Sequence, residues 1–153
     1  MSDLAALLMA CAPFIAPGTA QALIATESGG NPYAIGVVGG SLVRQPANLS
    51  EAVATTRALD ASGRNYSVGL GQINKSNFVK YGITRETAFD PCTNLQAMQS
   101  ILRDCFARAA ARTDTQTALR QAFSCYYSGN FQTGFDHGYV RKVVAVWSTQ
   151  HGR

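Results

Sequence analysis

Glu27 is the residue whose type and setting most plainly suggest chemistry. Ala20, Leu23, Ile24 and Glu27 fall at i, i+3, i+4 and i+7, so one face of a helix opened by Pro17-Gly18-Thr19 carries three apolar side chains and a carboxylate. Gly29-Gly30 stops that helix, which puts Glu27 in its last turn, where the helix dipole disfavours a negative charge. Burial and dipole both raise a carboxyl pKa. A carboxyl that keeps its proton near neutrality is a general acid. The pattern by itself also fits a glutamate that reaches solvent from a helix end.

Other groups able to contact a ligand follow. Gly69-Leu70-Gly71-Gln72-Ile73-Asn74 offers planar amides at Gln72 and Asn74, between glycines that let backbone come close. Tyr126 and Tyr139 offer flat amphipathic faces. Tyr33, Tyr66, Tyr81, Phe78, Phe89, Phe131 and Trp147 read as packing. No second carboxylate is borne by a motif; Asp60, Asp90 and Asp136 have ordinary cap, helix or loop explanations.

Four motifs carry a family resemblance. Glu27-Ser28-Gly29-Gly30-Asn31-Pro32 resembles the E-S-x-x-N-P motif of the lytic transglycosylases related to goose-type lysozyme. Gly69 to Ile73 resembles their G-L-M-Q-I segment, Cys125-Tyr126-Tyr127-Ser128-Gly129 their A-Y-N-x-G, and Gly138-Tyr139-Val140 their late G-Y-V. The motifs come in the family's order over nearly the whole chain. Two positions depart: Tyr127 stands where the family often has Asn, and Asn74 where many members have Met. Arg44-Gln45-Pro46 and Asp90-Pro91-Cys92-x-Asn94-Leu95 add a narrower resemblance, to the specialised transglycosylases of bacterial type IV secretion and conjugation machines.

The resemblance implies a lysozyme-like, mainly α (α+β) fold with a glycan groove and no cofactor. It implies Glu27 as the catalytic acid, Gln72 as a groove residue that hydrogen-bonds substrate and Tyr126 as an aromatic beside the acid. Ser28, Gly71, Asn74 and Tyr139 complete the expected substrate-binding set. The implied substrate is the bond between N-acetylmuramic acid and N-acetylglucosamine in peptidoglycan strands, and the implied partners are type IV secretion components. A hydrolytic lysozyme and a catalytically dead wall-binding module are the rival readings.

The elements that must position these residues are mostly helices. Asp3 to Cys11 is expected to be the first, before Pro13. Ile35–Val38 and Ser41–Arg44 flank Gly39-Gly40 and predict a small hairpin. Ser50 is expected to cap a helix from Glu51 to Ser62, and Ser67 to Ile73 reads as a shaped loop leading into a short helix. Asp90 as N-cap and Pro91 as first residue open a helix from about Cys92 to Ala111, with an apolar stripe of Leu95, Met98, Ile101, Leu102, Cys105 and Phe106. Thr115–Tyr127 and Tyr139–Thr149 are the last two.

Composition bounds the rest. The 153 residues are 46% hydrophobic and 14% charged, a globular balance for one domain over 1–153. The net charge of +4 comes from scattered Lys and Arg, without the aromatic-interleaved basic run of a nucleic-acid surface. Mild basicity suits an anionic polymer such as a cell wall. Leu4 to Ala16 is apolar, but Asp3 precedes it and Pro13 and Pro17 interrupt it. It reads as a core helix of a chain whose export signal has been removed, not as a membrane span.

Cys11, Cys92, Cys105 and Cys125 lack metal-ligand spacing, so no metal site is expected. They read as two disulfides, hence an oxidising compartment, or else as four buried thiols; for an exported chain of the family it resembles, that compartment is expected to be the periplasm. Cys92 and Cys105 are thirteen residues apart on one predicted helix, about 20 Å and too far to join. If the next helix returns antiparallel after a turn near Asp114, Cys105 meets Cys125, which leaves Cys11 for Cys92.

Overall fold

The computed structural model describes residues 2–151; Met1, Gly152 and Arg153, the ends of the expected 1–153 domain, lie outside the described residues. Among the described residues seven α-helices accompany a three-stranded antiparallel sheet, in the chain order α1 (Ser2–Cys11), α2 (Pro17–Glu27), β1 (Ile35–Val37), α3 (Leu49–Ala61), β2 (Tyr66–Val68), β3 (Ile73–Asn74), α4 (Pro91–Ala110), α5 (Thr115–Ser128), α6 (Thr133–Asp136) and α7 (Tyr139–His151). The mainly α character with a little sheet is the expected one. No described helix is long and apolar enough to cross a membrane.

One core joins the helices to the sheet. Leu23 and Ile24 of α2, Leu95, Met98 and Leu102 of α4, Val143 of α7, and Val68 and Ile73 of the sheet are all buried in it. Within it α2 packs against α7, and α4 packs against α5. The capping chemistry of α4 is as predicted: the Asp90 carboxylate accepts the Thr93 N–H at 2.9 Å, and Pro91 is the first helical residue. Both cysteine pairings also hold. Cys105 and Cys125 join α4 to α5 with Cα atoms 5.8 Å apart, and Cys11 and Cys92 join α1 to the start of α4 at 5.2 Å.

The sheet differs from the sequence expectation. Ser41–Arg44 is not a strand, and β1 pairs instead with β2, Ile35 opposite Val68 and Val37 opposite Tyr66. The reason is a side chain. The Gln45 amide donates to the Ile35 carbonyl at 3.0 Å and accepts the Ile35 N–H at 2.8 Å, satisfying the outer edge of β1 as a neighbouring strand would. The segment read as a loop from Ser67 to Ile73 is a β2–β3 hairpin, with Val68 opposite Ile73.

Two smaller corrections concern helix ends. The cap of α3 is Asn48, not Ser50: its Oδ1 accepts the Glu51 N–H at 2.9 Å. The four-residue α6 was not expected from the sequence. It packs on α5, where Ser124 Oγ accepts the Gly134 N–H at 2.8 Å.

Candidate active site

The E-S-x-x-N-P segment is first of all a helix stop. Ser28 N–H donates to the Ile24 carbonyl at 2.9 Å, and its hydroxyl donates there too, at 3.1 Å, while accepting the Gly30 N–H at 3.1 Å. Gly29 and Gly30 take φ of +64° and +87°, which glycine adopts at little cost. Asn31 Oδ1 then accepts the Tyr33 N–H at 2.9 Å and turns the chain into β1. Together these make Glu27 the last residue of α2. Ser28, expected among the substrate contacts, faces this turn and does not line the groove.

Glu27 opens into a groove of about 610 Å³ between the sheet on one side and α4 and α5 on the other. The sheet wall is Gly36, Val37, Ser67, Gln72 and Asn74; the helical wall includes Asp104, Arg108, Tyr126 and Tyr127. Though part of its surface reaches the groove, the carboxyl is packed closely enough that desolvation dominates and lifts its pKa from 4.5 to about 7. Two groups pull the other way: the Tyr139 hydroxyl, which donates to Glu27 Oε2, and the positive charge of Lys142. The acid the sequence pointed to is thus half-protonated near neutrality.

The hairpin tip explains the glycines. Gly69 has φ of +79°, and a Cβ there would run into the Asn94 side chain; a Cβ on Gly71 would sit 2.9 Å from the Tyr126 hydroxyl and 3.0 Å from Met98. Both glycines are buried. Each is packed against protein side chains, Gly69 against Asn94 and Gly71 against Tyr126 and Met98. Gly71 accordingly does not line the groove.

Gln72 does line it. With φ of +50°, it is the one described residue other than glycine at positive φ. Its amide Nε2 donates to the carbonyls of Ala34 at 3.0 Å and Gly69 at 3.1 Å, so the side chain is locked across the hairpin and onto the segment before β1. Gln72 was expected only as a groove residue that hydrogen-bonds substrate, and the geometry gives it a structural part as well: Gln72→Ala should lower stability by about 1–2 kcal/mol as well as slow turnover, since two bonds go and the positive φ stays. Thermal unfolding beside glycan cleavage checks this, and an unchanged Tm would refute it.

Asn74 donates to Ser67 Oγ at 3.1 Å and accepts the Ser76 N–H at 3.0 Å, presenting the remaining edge of its amide at the groove. Tyr126 stands near the acid as expected, and its hydroxyl donates to the Gly71 carbonyl at 2.6 Å. Burial, then the Glu27 charge, push its pKa well up, so it stays a neutral phenol. Tyr139 is buried behind the acid and does not line the groove; its phenol touches Glu27 where a sugar contact was expected. Its own pKa is raised by burial and by that carboxylate.

Sequence reasoning missed three residues. Asn94, buried in α4, ties the hairpin tip to the helix. Lys142 of α7 is near enough for its charge to lower the Glu27 pKa. Asp104 is the only carboxylate besides Glu27 on the groove wall among the described residues; it pairs with Arg108 at 3.3 Å. Asp60 is elsewhere, ion-paired with Arg85 and with Lys75 at 3.4 Å, partners that hold its carboxyl below its usual pKa. Asp136 accepts from Gln132 on the surface.

Comparison with known proteins agrees with this geometry. The family described as "Transglycosylase SLT domain" matches residues 8–143. The "Type IV secretion system protein virB1" of Brucella suis biovar 1 (strain 1330) is 53% identical over 146 residues, covering 91% of this chain and 61% of that protein. "Protein virB1" of Agrobacterium fabrum (strain C58 / ATCC 33970) is 39% identical over 137 residues, 87% of this chain and 54% of that protein. "Protein virB1" of Rhizobium radiobacter is 39% identical over 135 residues, 87% and 56% respectively. The chain thus spans 54 to 61% of the length of these relatives. No solved structure matches it. With the motifs in order, the mainly helical lysozyme-like fold and a matched family across most of its length, the chain belongs to the transglycosylase SLT domain family.

Proposed function

We propose that the chain is a peptidoglycan lytic transglycosylase that opens the cell wall locally for a type IV secretion or conjugation apparatus. The observation that carries the reading is Glu27: a carboxyl with its pKa lifted to about 7, at the end of α2, opening into a groove whose wall offers one other carboxylate, already paired with Arg108. A protonated Glu27 gives its proton to the oxygen leaving between N-acetylmuramic acid and N-acetylglucosamine. The acetamido group of the substrate stabilises the positive centre. Glu27, now a carboxylate, takes the proton of the muramic hydroxymethyl group, whose oxygen closes a 1,6-anhydro ring. That oxygen is tethered to the reacting sugar, so its effective concentration exceeds that of water when the geometry suits attack. The chemistry calls for no cofactor.

Gln72, Asn74 and Tyr126 bind the glycan strand along the groove in this proposal, while Ser28, Gly71 and Tyr139 act from behind it, by shaping the helix end, seating Tyr126 and bonding the acid. Work in the periplasm fits the two disulfides, which persist in oxidising compartments. The secretion role is drawn from the names of the virB1 relatives. Purified sacculi test the enzymatic reading against a wall-binding module: the expected result is release of soluble muropeptides, and sedimentation with intact sacculi without release would overturn it.

A further inference from the structure

Tyr127 is a large aromatic left 44% exposed on the helical wall of the groove, in the last turn of α5. Its ring is fixed on two sides. One side stacks on Tyr139, with centroids 4.5 Å apart and planes 19° from parallel. Its hydroxyl shares a hydrogen bond of 3.0 Å with His137 Nδ1, and the His137 ring meets it edge-on at 5.8 Å. His137 lies in the turn between α6 and α7, and Tyr139 is the first residue of α7. The Tyr139 hydroxyl, in turn, donates to Glu27. The three contacts run in series from the α6–α7 turn through Tyr127 and Tyr139 to the carboxyl.

We propose that Tyr127 is a positioning residue for the acid: held by His137, its ring backs the ring of Tyr139 and keeps the Tyr139 hydroxyl on Glu27. A phenol on the first turn of a helix has few neighbours from its own element to fix its rotation. An aromatic neighbour in offset stacking supplies that constraint with little conformational entropy to lose. Tyr127 acts through Tyr139 and does not itself touch the carboxyl. The inference rests on Glu27 being the acid of the proposed reaction.

The test uses Tyr127→Leu, Tyr127→Phe, Tyr139→Phe and the Tyr127→Leu/Tyr139→Phe double variant. The Glu27 carboxyl is titrated by carbon-13 NMR, and kcat and KM are measured on soluble glycan fragments. Loss of the Tyr139 hydrogen bond, which favours the charged form, should raise the Glu27 midpoint in Tyr139→Phe. Tyr127→Leu should raise it in the same direction, and the double variant should go no further than Tyr139→Phe alone. Tyr127→Leu should cut kcat about tenfold with KM changed less than about twofold, and Tyr127→Phe, which keeps the stack, should recover most of it. An unmoved midpoint in Tyr127→Leu beside a moved one in Tyr139→Phe would overturn the proposal. So would a loss confined to KM, which would make Tyr127 a sugar platform. A chain that cleaves no glycan defeats the proposed function, and the titration still decides this point.

Discussion

Glu27→Gln is expected to lower glycan cleavage about 10³-fold and, in the same molecule, to raise stability above pH 7. The first effect is the loss of the proton donor of the proposed reaction. The second follows from linkage. The folded carboxyl has a pKa of about 7 against 4.5 when unfolded, so between those values the folded chain holds a proton that the unfolded chain has released. Stability therefore falls as pH rises through that window, by at most about 3 kcal/mol above it. Glutamine cannot ionise and escapes the penalty. Chemical denaturation at pH 8 and pH 4 should show the variant ahead of the wild type at the higher pH only. The wild-type kcat/KM should decline as pH rises through about 7, because the acid must be protonated in the free enzyme. A folded variant that cleaves at the wild-type rate, or a wild-type profile flat from pH 5 to 9, would remove Glu27 from the mechanism.

Asn94→Leu is expected to cost about 4 kcal/mol, a large fraction of the stability of a domain this size. The Asn94 amide accepts the Gly71 N–H at 2.7 Å and donates to the carbonyls of Val68 at 2.9 Å and Ala88 at 2.8 Å, all in the core. Leucine keeps the branched outline of the side chain but is bulkier, and it supplies none of the three bonds. The damage should spread to the site, because Gly71 and Gln72 form the hairpin tip and the Gly71 carbonyl holds the Tyr126 hydroxyl. Urea unfolding measures the cost, and hydrogen exchange at the Gly71 amide shows whether the tip loosens first. A loss under about 1 kcal/mol with a protected Gly71 amide would show that the clamp is not the anchor of the hairpin.

What the sequence made legible was local and periodic. The start of α4 could be read because Asp90 and Pro91 are adjacent capping signals, and Glu27 because a carboxylate interrupts an apolar face. The disulfides could be read because helix rise limits which cysteines can meet. What stayed hidden was non-local. The partner of β1 arrives only after α3, and the Gln45 amide that fills the free edge looks like any loop polar residue. Asn94 falls on the α4 stripe, four residues before Met98 and eight before Leu102, so its burial could be read; the hairpin groups it binds could not. The Tyr139 bond to Glu27 spans 112 residues, and no period carries across that distance. The cap at Asn48 was readable: Asn48-x-x-Glu51 is the pattern that precedes many helices, and Ser50 lay within the first turn.

The chemistry of the ends produced from purified peptidoglycan tests the central claim most directly. A single acid that serves twice leaves muropeptides ending in 1,6-anhydro-N-acetylmuramic acid, each one water lighter than the lysozyme product and without a new reducing end. Mass spectrometry of the digest should find these in large excess, and Glu27→Gln should abolish them. A digest dominated by reducing-end muropeptides would contradict the account: water would be the nucleophile, and Asp104 across the groove, not Asp60 or Asp136, would be the first carboxylate to replace.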